Sequence, residues 1–144
     1  MLYCLKCKKQ AYKTHKCDVM SLVAITKDCK GIADGLYDLG IEIISASSFT
    51  YRAGSTNSTI SIDINLKKDS LIGLLGDFPA GWEIYTEMVS ADRLRLPIVI
   101  LGYSETVENT MVDARIVQVT GEFERFLQGF DPQAIKSVAT LKYS

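Results

Sequence analysis

The feature that most constrains this chain is a cluster of metal-binding residue types close to its N-terminus. The segment CLKCKKQAYKTHKC, residues 4 to 17, contains three of the four cysteines and the only histidine. Disulfides are uncommon in a reducing compartment, so cysteines at short, fixed spacing indicate metal or redox chemistry. The cluster therefore predicts a small metal-binding segment, residues 1 to 18, ahead of the main body of the chain.

Zinc is the metal that this pattern favours. It takes four tetrahedral ligands from thiolates and imidazoles, and a C-x2-C pair on a tight turn supplies two of them. The nine residues after Cys7 leave room for one hairpin, and the histidine stands two residues before the third cysteine, so that both can face inward from an extended strand. Four protein ligands leave no open position, so we expect a structural zinc ion. The expected ligands are Cys4, Cys7, His15 and Cys17.

Two other interpretations of the cluster remain open at this point: a free or redox-active C-x2-C pair, and chance clustering. Redox motifs of this type usually begin a helix inside a βαβ unit, whereas Cys4 has no strand before it. Cys29 would replace His15 as a ligand only if the fold brought it back to the turn. Its apolar neighbours Ile25 and Ile32 predict a half-buried structural thiol instead.

Charge is unevenly distributed along the chain. Residues 1 to 17 carry five lysines and no acidic residue, whereas the rest carries eleven basic and seventeen acidic residues, which gives net charges of +5 and −6. Such a block either binds a partner or docks on the acidic body. A nucleic acid would meet the lysines beside Tyr3 and Tyr12, although a pI of about 5.8 is low for that role. The lysines in question are Lys6, Lys8, Lys9, Lys13 and Lys16.

Length and composition fit one globular domain. The chain has 144 residues, of which 47% are hydrophobic and 23% are charged, which is enough to bury a core. It contains no apolar run of the 18 or more residues that a membrane span needs, and lysines occupy the place of a signal peptide's apolar stretch. We therefore expect a cytoplasmic protein that does not interact with membranes.

The pattern between residues 19 and 88 predicts six elements in the order βαββαβ. Strands are predicted in DVMSLVAITK, IEIISASSFTY, TISIDINLK and WEIYTEM, the third with an inward row of alternating apolar residues. One helix starts near Asp28 and ends at Gly40, and a second, DSLIGLLGDF, is capped by Asp69. This order predicts an α+β fold, the ferredoxin-like plait, with two helices on one face of an antiparallel sheet.

The pattern in residues 89 to 144 predicts an extension of the same domain. The whole domain would then run from residue 19 to residue 144. RLRLPIVILGY and DARIVQVT look like two strands. Pro97 indicates that the first strand either lies at an edge of the sheet or begins after the proline. EFERFLQGF and DPQAIKSVATL look like short helices, the second with Asp131 as its cap and Pro132 in the first turn. No linker rich in proline, glycine or serine divides this extension from the rest.

One segment resembles a known family. ITKDCKGIADGLYDLGIEI is similar to the first loop and helix of an ACT domain, a regulatory module that senses small ligands. Asp28, Gly31 and the Gly-Ile-Glu-Ile run from Gly40 occupy the matching places, and the resemblance covers about residues 19 to 88. It implies pairing of subunits and a ligand site in the first strand-to-helix loop, where exposed backbone amides favour a small anion. The implied ligand-binding residues are Thr26, Lys27, Asp28 and Gly31.

These observations predict a non-enzymatic binding or regulatory module that reads a small ligand or a protein partner, and a dimer or another homo-oligomer is expected. No nucleophile beside a base and no common catalytic motif is found in the sequence. A nucleic-acid-associated adaptor that uses the basic segment is one alternative. A small enzyme that uses carboxylates is another.

Overall fold

The computed structural model describes residues 1–12, 15–17, 21–67, 71–91 and 94–143. In this part of the chain, one mixed β-sheet and three α-helices form an α+β fold, which confirms the predicted class. Three features named in the sequence analysis lie outside the described residues: Lys13, Asp69 and the first residues of the first predicted strand, 18–20.

Seven strands form a single sheet in the order β2-β1-β3-β4-β5-β7-β6. β3 and β4 run parallel, and the other neighbouring pairs are antiparallel. The strands are β1 (Leu2–Cys4), β2 (Lys9–Gln10), β3 (Leu22–Ile25), β4 (Ile43–Arg52), β5 (Asn57–Leu66), β6 (Trp82–Ala91) and β7 (Leu94–Glu108).

Helices cover one face of this sheet. α1 (Lys30–Asp38) connects β3 to β4, and α2 (Val112–Gln128) packs beside it after β7. Phe123 of α2 meets Trp82 of β6 with ring centroids 4.4 Å apart. α3 (Pro132–Tyr143) follows α2 and buries Ile135 against the same core. The described part contains no helix that is both long and apolar enough to span a membrane.

The central strands and the first helix agree with the sequence patterns. On β5 every second residue is buried, and the polar residues between them are partly exposed. α1 is followed by Gly40, whose φ of +81° is in the left-handed region that glycine tolerates at a helix end. The buried row of β5 consists of Ile60, Ile62, Ile64 and Leu66.

The ferredoxin-like plait predicted for residues 19 to 88 is not the observed topology. β3 and β4 pair with each other directly, whereas a plait would insert another strand between them. The predicted second helix, DSLIGLLGDF, is reduced among its described residues to the short 3-10 turn Ile72–Leu75. Gly73 and Gly76 disfavour helix in this stretch, and Gly76 has a φ of +72°.

The second layer is completed by the C-terminal part of the chain instead. DARIVQVT, predicted as a strand, is the first half of α2, and EFERFLQGF contributes its second half. The β-branched run misled the prediction, because packing of one continuous apolar stripe outweighs local strand propensity. The stripe recurs at spacings of three and four residues along α2 and consists of Val112, Ile116, Val119, Phe123 and Leu127.

Other predictions for the C-terminal part hold. Pro132 opens α3, and the Asp131 carboxylate accepts a hydrogen bond of 3.0 Å from the N–H of Gln133. For Pro97 the prediction holds only locally: β7 begins before it and lies between β5 and β6, but at Pro97 it pairs with β6 alone, because pairing with β5 ends at Val99.

The N-terminal segment belongs to the sheet. β1 pairs with β3 on one side and with β2 on the other. Tyr3 is fully buried, and its hydroxyl donates a 2.7 Å hydrogen bond to Asp34 of α1. Since successive residues of a strand face opposite sides, Cys4 lies on the face away from α1. The sheet thus provides a fixed base for the cysteine cluster.

Candidate metal centre

A tight turn between β1 and β2 places the first two thiols. The N–H of Lys8 donates to the carbonyl oxygen of Cys4 at 2.8 Å, which closes the turn. The N–H of Cys7 donates to Sγ of Cys4 at 3.4 Å, so the backbone already points a donor at this sulfur. Lys8 has a φ of 56°, which lets the chain reverse directly after the second cysteine.

The other two donors are brought in after the hairpin. β2 returns along β1, and the N–H of Ala11 bonds the carbonyl of Leu2 at 3.0 Å. The N–H of His15 donates to the carbonyl of Tyr12 at 2.8 Å. One potential ligand atom from each residue lies within 4.8 Å of all the others, so the structure brings the four predicted ligands together: Cys4, Cys7, His15 and Cys17.

Burial differs across this cluster. Cys4 is fully buried, His15 and Cys17 are half-buried, and Cys7 is exposed. Nε2 of His15 is buried and has no hydrogen-bond partner among the described residues. Leaving a buried ring nitrogen unpaired is costly, and a metal ion would satisfy it. This orphaned nitrogen beside three sulfurs fits a metal better than it fits a free thiol cluster.

The thiols differ in acidity. Burial raises the pKa of Cys4, but the backbone N–H of Cys7 and the neighbouring polar side chains of His15, Cys7 and Cys17 outweigh it and lower the pKa to about 7. Hydrogen bonding to Cys7 and burial raise the pKa of Cys17 to about 11. The polar environment thus favours the thiolate form at the most buried sulfur.

The lysines around the cluster differ in their surroundings: one contacts α1, and three others are exposed to solvent. Nζ of Lys8 lies 2.9 Å from Asp38 and 3.9 Å from Asp34, both on α1. The same ammonium lies 5.6 Å from the ring centroid of Tyr37. Three other lysines of the segment are exposed: Lys6, Lys9 and Lys16. The structure therefore attaches part of the basic segment to the acidic helix.

The predicted ligand loop between β3 and α1 is brought together, and its polar groups bind one another. The carboxylate of Asp28 accepts hydrogen bonds from Thr26 at 2.7 Å and from Ser48 at 2.5 Å. A Cβ at Gly31 would overlap the carboxylate end of the flexible Glu124 side chain of α2, which would have to move. Lys27 lies in the short 3-10 turn before α1. A small anion entering this loop would meet the carboxylate of Asp28.

Cys29 lies outside the metal cluster. It is fully buried, and burial raises the pKa of its thiol to about 12. The sequence predicted a half-buried thiol here, and the structure places it deeper, beneath α1.

Two polar contacts were not found from the sequence. One is the pairing of Lys8 and Tyr3 with α1. The available signal was the spacing of Asp34 and Asp38 by four residues, which places both carboxylates on one face of the helix. The other is a network in which Glu105 accepts hydrogen bonds from Tyr103 and from Arg115 of α2, the latter at 2.7 Å. The sequence analysis had no reason to pair them, because the run that contains Arg115 was predicted to be a strand.

In comparisons with known proteins, no family model, no curated protein and no solved structure matches the chain.

Proposed function

We propose that Cys4, Cys7, His15 and Cys17 hold one structural zinc ion, and that the chain is a non-enzymatic binding module stabilised by it. The observation that carries this proposal is the placement of one potential ligand atom from each of the four residues within 4.8 Å of the others. The buried Nε2 of His15, which has no hydrogen-bond partner among the described residues, supports it. Three thiolates and one imidazole are a typical donor set for structural zinc.

The proposed role of zinc is to hold the chain at His15 and Cys17 against β1. Backbone bonds secure β1 and β2, whereas His15 and Cys17 follow them in irregular chain. A metal bound by four side chains links this part of the chain to Cys4, which is buried in the sheet. Because all four positions are protein ligands, the ion has no site for an activated water or substrate. This supports a structural rather than a catalytic ion.

A non-enzymatic role is supported by the partners of the other polar side chains. The only histidine and three of the four thiols are assigned to the metal, and the remaining thiol, Cys29, is buried with a raised pKa. Two half-buried carboxylates are engaged by neighbouring side chains: Asp28 by Thr26 and Ser48, and Glu105 by Arg115. The proposal does not include a small-anion site at residues 26 to 31, since the carboxylate of Asp28 in that loop is already hydrogen-bonded to Thr26 and Ser48.

Metal content tests the proposal directly. The full chain, purified without chelators, is expected to carry about one zinc per chain, measured by elemental analysis. After replacement of zinc by cobalt, its absorption spectrum should show tetrahedral coordination with sulfur ligands. Removing the metal with a chelator should lower the melting temperature, because metal binding is coupled to folding of the loop.

A matched pair of variants gives the control. Cys4→Ser combined with Cys7→Ser should abolish zinc binding, whereas Cys29→Ala, which changes the thiol outside the cluster, should retain it. A folded wild-type chain that takes up no zinc, or a Cys29→Ala variant that loses it, would contradict the proposal.

A further inference from the structure

Two of the proposed zinc ligands differ from the others in their access to solvent and in their distance from each other. Sγ of Cys7 lies 3.0 Å from Sγ of Cys17, about 1 Å longer than a disulfide bond. Cys7 is exposed and Cys17 half-buried, whereas Cys4 is fully buried in β1. The most accessible sulfur of the cluster therefore has a second sulfur within near-bonding distance.

We infer that Cys7 and Cys17 form an oxidation site at which a peroxide makes a disulfide and releases the metal. This inference rests on the proposed zinc function. Thiolates are the reactive form of cysteine, and susceptibility to oxidation follows thiolate character and exposure. Cys7 is the most exposed sulfur of the cluster and has Sγ of Cys17 within 3.0 Å, which makes it the first point of attack.

The chemistry is complete with a hydroperoxide as oxidant. The Cys7 thiolate attacks the O–O bond, so that an S–O bond forms, the O–O bond breaks and hydroxide leaves, giving a sulfenic acid. The Cys17 thiolate then attacks the Cys7 sulfur, the S–S bond forms and a second hydroxide leaves. Two thiolates together lose two electrons, and the peroxide gains them. Zinc keeps only Cys4 and His15 and dissociates.

The strand context of the other ligands explains why oxidation would stay local. Cys4 pairs through its backbone with Leu22 and Lys9 inside the sheet. Tyr3 remains bonded to Asp34, and β1 remains paired with β3. Loss of the metal is therefore expected to free the side chains of His15 and Cys17 while the sheet stays folded. The site would respond to a peroxide without unfolding the protein.

Trypsin makes the test unambiguous, because it cuts after Lys6, Lys8, Lys16 and Lys27 and so puts each cysteine on a different peptide. The zinc-loaded full chain is treated with hydrogen peroxide, zinc release is followed with a colorimetric chelator, and the peptides are identified by mass spectrometry. The expected result is about one zinc released per disulfide, with the Cys7 peptide linked to the Cys17 peptide. Reduction in the presence of zinc should restore binding.

Other outcomes overturn the inference. These are a disulfide that contains Cys4 or Cys29, zinc release without any disulfide, and a disulfide whose formation leaves the metal bound. The chain without added metal is oxidised in parallel. If the protein never binds zinc, the proposed function fails together with metal release, and the peptide map still shows which thiols pair. If zinc binds but the disulfide maps elsewhere, only the oxidation site is wrong.

Discussion

Glu105 on β7 shows how a single carboxylate joins the sheet to the helix layer. It accepts hydrogen bonds from the hydroxyl of Tyr103 and, at 2.7 Å, from Nε of Arg115. Hydrogen bonding from Tyr103 and the charge of Arg115 lower the pKa of Glu105 below its usual range, although burial opposes this. The folded state therefore binds the proton of this carboxyl more weakly than the unfolded state does.

Glu105→Gln is expected to lower the free energy of unfolding at neutral pH by about 1 kcal/mol, since it weakens charge-assisted hydrogen bonds. A carboxyl whose folded-state pKa is depressed stabilises the protein above its unfolded pKa, near 4.3, and loses that contribution as pH falls through the folded value. The variant should accordingly lose less stability than wild type on acidification below about pH 5. Urea titrations across this range measure both effects. Glu83→Gln, which alters an exposed carboxylate on β6, should follow wild type.

The clustering of the four proposed metal ligands could be predicted from the sequence because each residue type carries its own chemistry. Cysteine and histidine types at short separation restrict the metal and the geometry before any fold is known. The pairing of Glu105 with Arg115 was not accessible in this way, because it depends on α2 crossing the sheet. Residue-level predictions thus succeeded where the partners are close in sequence.

At the scale of elements, α1 and α2 pack closely enough that their glycines play different parts. A Cβ built on Gly35 of α1 would lie 2.8 Å from Cδ1 of Leu127, which is buried in α2. A Cβ built on Gly121 of α2 would meet only the end of the flexible Arg125 side chain, at 3.4 Å. One glycine permits helix packing, and the other has no such role.

Gly121→Ala should raise the free energy of unfolding by about 0.5–1 kcal/mol, because alanine favours helix by that amount over glycine. Gly35→Ala gains the same propensity but overpacks the interface with Leu127, a change that typically costs about 1–3 kcal/mol. Its net effect should therefore be destabilising. Chemical denaturation of the two variants beside wild type gives the comparison. Stabilisation by both substitutions would show that the helix contact is looser than the structure indicates.

The predictions of elements were right where neighbouring residues determine the structure. They were wrong where strand pairing between distant segments, or the full length of a helix, determines it. The alternation on β5 and the end of α1 at Gly40 follow from neighbouring residues, and both are observed. The strand order depends on β3 choosing β4 as its neighbour, a choice between distant segments that local pattern does not encode. For α2, the β-branched residues favoured a strand, and only the apolar stripe along all 17 residues of the element indicates a helix.

At the scale of the whole molecule, the division of charge has a structural counterpart. The N-terminal segment carries +5 and the remainder −6. Lys8 of the positive segment forms ion pairs with two acidic residues of the negative remainder, Asp38 and Asp34. Exposed ion pairs of this kind contribute only about 0–1 kcal/mol each, so they orient the segment more than they stabilise it. Bound zinc with three thiolates would remove one further positive charge from the segment.

We therefore expect the protein to bind single-stranded nucleic acid negligibly at physiological salt, where the Debye length is about 8 Å and weak surface attraction is screened. Anisotropy of a fluorescent oligonucleotide should give a Kd weaker than about 100 μM, beyond the weak end of the non-specific range. A variant with Lys6, Lys9 and Lys16 all changed to alanine should give the same curve. Micromolar binding that weakens with salt at a log-log slope of about −2, as three phosphate contacts would require, and that disappears in the variant would instead support the nucleic-acid adaptor. The metal would then shape a binding surface, since the same ion fixes the loop that carries Lys16.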